Sequence, residues 1–200
     1  GDLAHARKAL EKQIVEINAY LEKYNAPLVC LEPSAALAIK KEWPLLAPGK
    51  PAETLTFKTL EAGEYLNKYF SINKMTVISG ESAFLHHSPC HLKALKNGNN
   101  FAEILHSTAG LSIVEASGGC CGMAGTWGLN RSRRIESLGM GAALKNEIES
   151  CNLPVITECS ACAMQIQRML PGVEIHHPIE IISEIMVKND TLVSWSKKKK

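Results

Sequence analysis

The chain has 200 residues, 46% hydrophobic and 21% charged. That suffices for one compact domain, or one domain and part of another, and excludes a disordered chain. A balance of 22 Lys+Arg against 20 Asp+Glu leaves +2, with Lys197 to Lys200 supplying four of the positives, so no broad basic face for nucleic acid is expected.

Residues 3–24 place Leu3, Ala6, Leu10, Ile14, Ile17 and Leu21 on one helical stripe, with Asp2 able to cap its start. Pro27 to Glu32 reads as a short buried strand. Pro33-Ser34 opens a short helix ending near Trp43-Pro44, and Leu46 to Pro51 reads as a loop. Residues 53–70 read as a helix with Leu55, Thr59, Ala62, Leu66 and Phe70 on one side. A composition shift at Ser71 to Gly80 marks a domain boundary. Beyond it, strands at 82–87, 111–116, 153–158 and 173–176 alternate with helices at 91–97, 100–109, 129–150, 160–170 and 178–188. This alternation predicts an α/β fold, a mostly parallel sheet flanked by helices, preceded by a helical and partial α/β segment. The expected layout is 1–72 as an N-terminal segment, 80–190 as the main domain, and 191–200 as a solvated tail. No apolar run approaches the ~20 residues that a membrane span requires.

The chain opens Gly1-Asp2, without methionine or a secretory signal, and reads as a piece of something longer. Its seven cysteines then suit metal or redox chemistry better than a disulfide framework. Five form a pattern: Cys90, the pair Cys120-Cys121, and Cys159 with Cys162. Each follows a predicted strand, and in a parallel sheet the carboxyl ends of the strands converge on one edge. Gly118, Gly119 and Gly122 allow tight turns around the Cys-Cys pair and close approach of amide N–H groups to sulfur. Adjacent thiolates serve one mononuclear tetrahedral site poorly but can serve different irons of a cluster, and five exceed the four of structural zinc. The spacing thus favours iron–sulfur ligation over zinc without establishing it.

Cys90, 29 intervening residues, Cys120-Cys121-Gly122, 37 more, then Cys159-Ser-Ala-Cys162 resembles the cysteine-rich CCG domain family. That family includes the B subunit of heterodisulfide reductase, the iron–sulfur subunit of glycolate oxidase, the C subunit of glycerol-3-phosphate dehydrogenase, and C-terminal parts of fused flavin and iron–sulfur D-lactate dehydrogenase-like proteins. The stretches His87-Ser-Pro-Cys-His-Leu92, Gly119 to Trp127, Thr157 to Gln165 and His177-Pro-Ile-Glu180 are similar to the glycerol-phosphate and fused-dehydrogenase branch. The resemblance covers about residues 80–187. It implies a [4Fe-4S] cluster on Cys90, Cys120, Cys121, Cys159 and Cys162, noncubane in the heterodisulfide reductase relative. It further implies FAD on a separate domain or subunit, a flavin dehydrogenase as electron donor, and a quinone-linked membrane component as acceptor. The implied setting is the cytoplasm, peripheral to the inner membrane. Residues 1–72 resemble the C-terminal part of a preceding CCG-type domain, but Ala35 stands where the family often has cysteine.

Cys30 and Cys151 read as packed thiols. His86, His87, His91, His176 and His177 each read first as hydrogen-bonded structural residues. Contact with the cluster or coupled proton transfer is the functional alternative, favoured for His87 and His91. Trp127 reads as core or pocket wall, and Arg131, Arg133 and Arg134 as a solvated face. The sequence therefore supports the electron-transfer part of a flavin-linked dehydrogenase. Two alternatives stand beside it: disulfide reduction at the cluster, and a zinc-stabilised interaction module without redox function.

Overall fold

The computed structural model describes residues 2–69, 83–96, 98 and 100–188. The chain divides into two compact units, Gly1–Tyr65 and Leu66–Lys200. The composition shift at 71–80 and the lysine tail lie outside the described residues.

The first unit opens with α1 (Leu3–Tyr24). The Asp2 carboxylate accepts the His5 amide at 3.0 Å, and Asn25 ends the helix in the left-handed region. Leu10, Ile14 and Leu21 are buried as their spacing requires. Asn18 shares their face and donates to the Pro51 carbonyl at 2.8 Å. Next come β1 (Leu28–Cys30), α2 (Pro33–Leu37), one π-helical turn and α3 (Trp43–Leu46). Pro44 does not end the helix, because it sits in the first turn of α3, where a missing N–H costs nothing.

The helix expected over 53–70 is not continuous. It is α4 (Lys50–Lys58), then β2 (Thr59–Glu61), then α5 (Ala62–Tyr69), and Phe70 lies outside the described residues. Thr59, Leu60 and Glu61 are all buried. Consecutive residues cannot share one helix face, whereas a strand covered on both sides buries each in turn. β2 pairs parallel with β1, Leu28 opposite Thr59 and Cys30 opposite Glu61.

The second unit is the expected α/β arrangement. Its elements are β3 (Ala83–His86), α6 (Cys90–Leu95), α7 (Asn100–Ala109), β4 (Ser112–Glu115), α8 (Arg134–Met140), α9 (Ala142–Cys151), β5 (Val155–Ile156), α10 (Ser160–Met169), β6 (Ile175–His176) and α11 (Pro178–Lys188). The sheet is parallel throughout, in the order β4-β3-β5-β6. Leu85, Val155 and Ile156 are fully buried at its centre. The helix expected over 129–150 is also divided. Asn130 takes the Ser132 amide and hydroxyl on its side chain and holds residues 131–133 in a 3-10 turn before α8 begins. Gly141 then separates α8 from α9, and a Cβ there would meet the Cys121 carbonyl at 2.5 Å. Among the described residues, no helix is long and apolar enough to cross a membrane.

Strand order reverses at β3: the chain steps to one side of it for β4, then to the other for β5 and β6. Such a reversal opens a crevice between β3 and β5 at the carboxyl ends of the strands.

Candidate metal centre at the carboxyl edge of the sheet

All five motif cysteines follow strands at this edge. Cys90 is the first residue of α6, four positions after β3 ends. Cys120 and Cys121 sit in the loop after β4, and Cys159 caps α10 beyond β5, with Cys162 in the first turn of that helix. Cys121, Cys159 and Cys162 are buried, while Cys90 and Cys120 reach the surface. Cys121 and Cys162 bring their sulfurs to 3.2 Å. A ring nitrogen of His87 and these two sulfurs lie within 4.8 Å of one another.

Electrostatics links the whole set. The Cys121 and Cys162 thiols interact directly, in a direction that favours the thiolate of Cys121. Its pKa is lowered to about 4, first by Cys162, then, against burial, by the neighbouring His87 ring and the Met123 amide. Cys162 is correspondingly pushed up, by Cys121 first, then by Cys159 and burial. Burial raises Cys90, and the charges of Cys120, Cys121 and Cys159 raise it further.

Backbone and polar side chains shape the Cys-Cys loop. Glu147 on α9 receives the Ser117 amide at 2.9 Å, the Ser117 hydroxyl at 3.0 Å and the Gly118 amide at 2.5 Å. These donors, the Ser117 amide foremost, hold its carboxyl below the usual carboxylate range. Gly122 has φ +86°, and a Cβ there would come within 2.1 Å of the Ser137 carbonyl oxygen. Only glycine permits that turn and that approach. The Gly122 amide in turn donates to the Cys120 sulfur at 3.3 Å. The buried Ser137 hydroxyl donates to the Gly122 carbonyl at 2.8 Å and accepts from Gln165 of α10 at 2.9 Å. Arg168 extends this chain to the Gly128 carbonyl and to Gln165, at 3.3 Å each. The loop bearing Cys120 and Cys121 is thereby tied to the helix bearing Cys162.

The histidines divide. His86 is fully buried, with Nδ1 2.8 Å from Glu115 and Nε2 2.9 Å from Glu158. His91 lies with Nδ1 3.7 Å from the Cys90 sulfur. His176 pairs with Glu174 at 2.7 Å, and His177 accepts the Ile179 amide on Nδ1 at 3.1 Å. His87 is only 2% exposed, and its Nε2 has no hydrogen-bond partner. Cys30 is buried in the first unit, and Cys151 is half-buried against the apolar core around Leu144 and Val155. Trp127 is half-buried under the Arg133 guanidinium, and Arg131, Arg133 and Arg134 are exposed. Glu115, Ser137, Glu147, Glu158 and Gln165 carry no sequence signal, since each acts through a partner at least 15 residues away.

This donor set fits a soft metal centre. Thiolates select zinc, copper(I) or iron–sulfur clusters over hard cations. The His87 imidazole has one ring nitrogen near two sulfurs and an Nε2 without a hydrogen-bond partner, which points to a partner within the crevice.

Residues 84–167 match CCG, a cysteine-rich domain family. This stretch of the second unit is thus similar to the CCG cysteine-rich domain, as the motifs suggest. Over 103 residues the chain is 30% identical to the C subunit of anaerobic glycerol-3-phosphate dehydrogenase from Escherichia coli (strain K12), covering 51% of this chain and 26% of that protein. Over 169 residues it is 25% identical to D-2-hydroxyglutarate dehydrogenase of the same organism, covering 83% of this chain and 16% of that one. The corresponding enzyme of Pantoea ananatis (strain AJ13355) is 25% identical over 167 residues, 82% and 16% of the two chains. The chain thus spans between 16% and 26% of the length of these relatives. No solved structure matches it.

Proposed function

We propose that Cys90, Cys120, Cys121, Cys159 and Cys162 hold an iron–sulfur cluster of the [4Fe-4S] type, and that the chain is the electron-transfer part of a flavin-linked dehydrogenase. The relatives named for glycerol-3-phosphate and D-2-hydroxyglutarate favour a parent enzyme acting on a 2-hydroxyacid or on glycerol 3-phosphate. In this reading substrate oxidation takes place on FAD carried by another domain or subunit. Electrons then leave toward a quinone-linked acceptor, at the cytoplasmic face of the inner membrane.

The observation that carries the proposal is that thiols remote in sequence follow strands at one sheet edge, with the Cys121 and Cys162 sulfurs 3.2 Å apart and the charges of Cys120, Cys121 and Cys159 acting on Cys90. Bound there, a cluster supplies reversible one-electron storage. The protein's part is to fix the sulfurs, donate the Gly122 N–H to Cys120, and bury three thiols while leaving Cys90 and Cys120 at the surface. The buried side excludes water, and the exposed side gives a donor or acceptor a short approach.

The test is anaerobic reconstitution with iron and sulfide, followed by metal and sulfide analysis and EPR. About four irons and four sulfides per chain are expected, with loss of the native spectrum in Cys120→Ser, Cys121→Ser and Cys162→Ser. Failure to retain iron and sulfide refutes the proposal. One specific feature supports a second reading: His87, Cys121 and Cys162 approach a mononuclear N,S site. Stoichiometric zinc that resists exchange for iron and sulfide establishes that reading instead.

A further inference from the structure

The neighbouring histidines at the end of β3 meet opposite fates. Successive residues of an extended chain point to opposite sides. On one side His86 satisfies both ring nitrogens with Glu115 and Glu158. On the other, His87 is just as deeply buried, yet its Nε2 meets no acceptor or donor. Its backbone is pinned: the His87 amide donates to the Ile156 carbonyl at 2.9 Å, continuing the β3–β5 ladder at the point where strand order reverses. One of its ring nitrogens lies within 4.8 Å of the Cys121 and Cys162 sulfurs.

We infer that His87 is a positioning residue that donates an Nε2–H hydrogen bond to the sulfur shell of the cluster, and thereby raises its reduction potential. The inference rests on the cluster reading above and goes beyond it in assigning a non-cysteine contact. A buried imidazole without a partner loses the full solvation of its ring nitrogen, and a partner in the crevice restores it. Five thiolates already supply the ligands, so the surplus is negative charge, and the imidazole meets it best as an N–H donor. Hydrogen bonds to cluster sulfurs favour the more electron-rich state. When an electron enters, the proton stays on Nε2 and the N–H···S bond tightens, so no bond breaks and no proton is transferred. Tuning of a metal by groups behind its ligands is a general feature of such sites.

The experiment compares the full chain, loaded anaerobically, with His87→Leu and His87→Gln, by redox titration followed by EPR. At the wild-type midpoint potential, the ratio of reduced to oxidised cluster in His87→Leu is expected to be about tenfold lower, a downward shift of about 59 mV for a one-electron couple. His87→Gln, which keeps a side-chain N–H, is expected to recover at least half of that shift. Because His87→Leu can lose the cluster altogether, a second measurement uses [15N]histidine in His91→Gln protein, which removes the other nearby ring. Weak 15N hyperfine coupling in pulsed EPR supports the hydrogen bond. An unchanged midpoint in His87→Leu overturns the inference while leaving the cluster reading intact, as does the absence of 15N coupling. Strong coupling, the mark of a direct iron–nitrogen bond, overturns it as well. A wild-type protein that holds no iron and sulfide overturns both.

Discussion

His86 is a buried base between two carboxylates, Glu115 on the next strand and Glu158 just before Cys159. Burial by itself disfavours its cation, but the bonds from Glu115 and Glu158 outweigh that and raise its pKa to about 9. The unfolded chain returns it to the ordinary value of 6.5. The resulting stabilisation is fully present below pH 6.5 and is lost as pH rises through about 9. Its size is on the order of 3 kcal/mol. The melting temperature is therefore expected to fall between pH 6.5 and pH 9.5, and His86→Gln to flatten that part of the profile. An unchanged slope in the variant contradicts the assignment. A second residue-scale prediction contrasts two glycines of the Cys-Cys loop. Gly122→Ala meets both a left-handed φ and the Ser137 carbonyl, whereas Gly119→Ala, at φ +83°, meets nothing within 4 Å. The strain common to both is about 1–2 kcal/mol. Denaturant titration should show Gly119→Ala costing no more than that and Gly122→Ala clearly more, with loss of metal loading only in Gly122→Ala.

At the scale of elements, the site depends on how the loop after β4 is fastened. Glu147 on α9 gathers the Ser117 and Gly118 amides, and Ser137 on α8 gathers the Gly122 carbonyl. Glu147→Gln preserves shape but turns one acceptor into a donor facing an N–H. About 1–3 kcal/mol is expected for that mismatch. Hydrogen exchange at the Ser117 and Gly118 amides should quicken while the β3–β5 ladder stays protected; equal exchange in both proteins counts against the role given to Glu147. Thr59 and Ala62 sit where a helical stripe needs them, but Leu60 and Glu61 between them are buried too. Pairing with β1 overrode the local pattern. Within 129–150, the Asn130 side chain caps a 3-10 turn, and at Gly141 the Cys121 carbonyl leaves no room for a Cβ.

For the whole molecule, every thiol of the proposed centre belongs to the second compact unit, and Cys30 to the first. A chain beginning at Leu66 is expected to take up iron and sulfide in the same proportion as the full chain. Cys30→Ala and Cys151→Ala in the full chain should leave uptake and EPR spectrum unaltered. Loss of loading in any of these proteins would show that the centre draws on residues outside the five.

The sequence by itself determined the alternation of strands and helices in the second unit, and the placement of Cys90, Cys120-Cys121 and Cys159-Cys162 just past strand ends. Those features are local: they follow from period, capping and spacing along the chain. The tertiary structure alone decided which thiols are buried, that Cys121 and Cys162 bring their sulfurs together, and that His86 finds carboxylates while a ring nitrogen of His87 lies near sulfur. Such outcomes depend on strand order and side-chain direction across the sheet, where residues tens of positions apart meet, and no short stretch of sequence encodes that meeting.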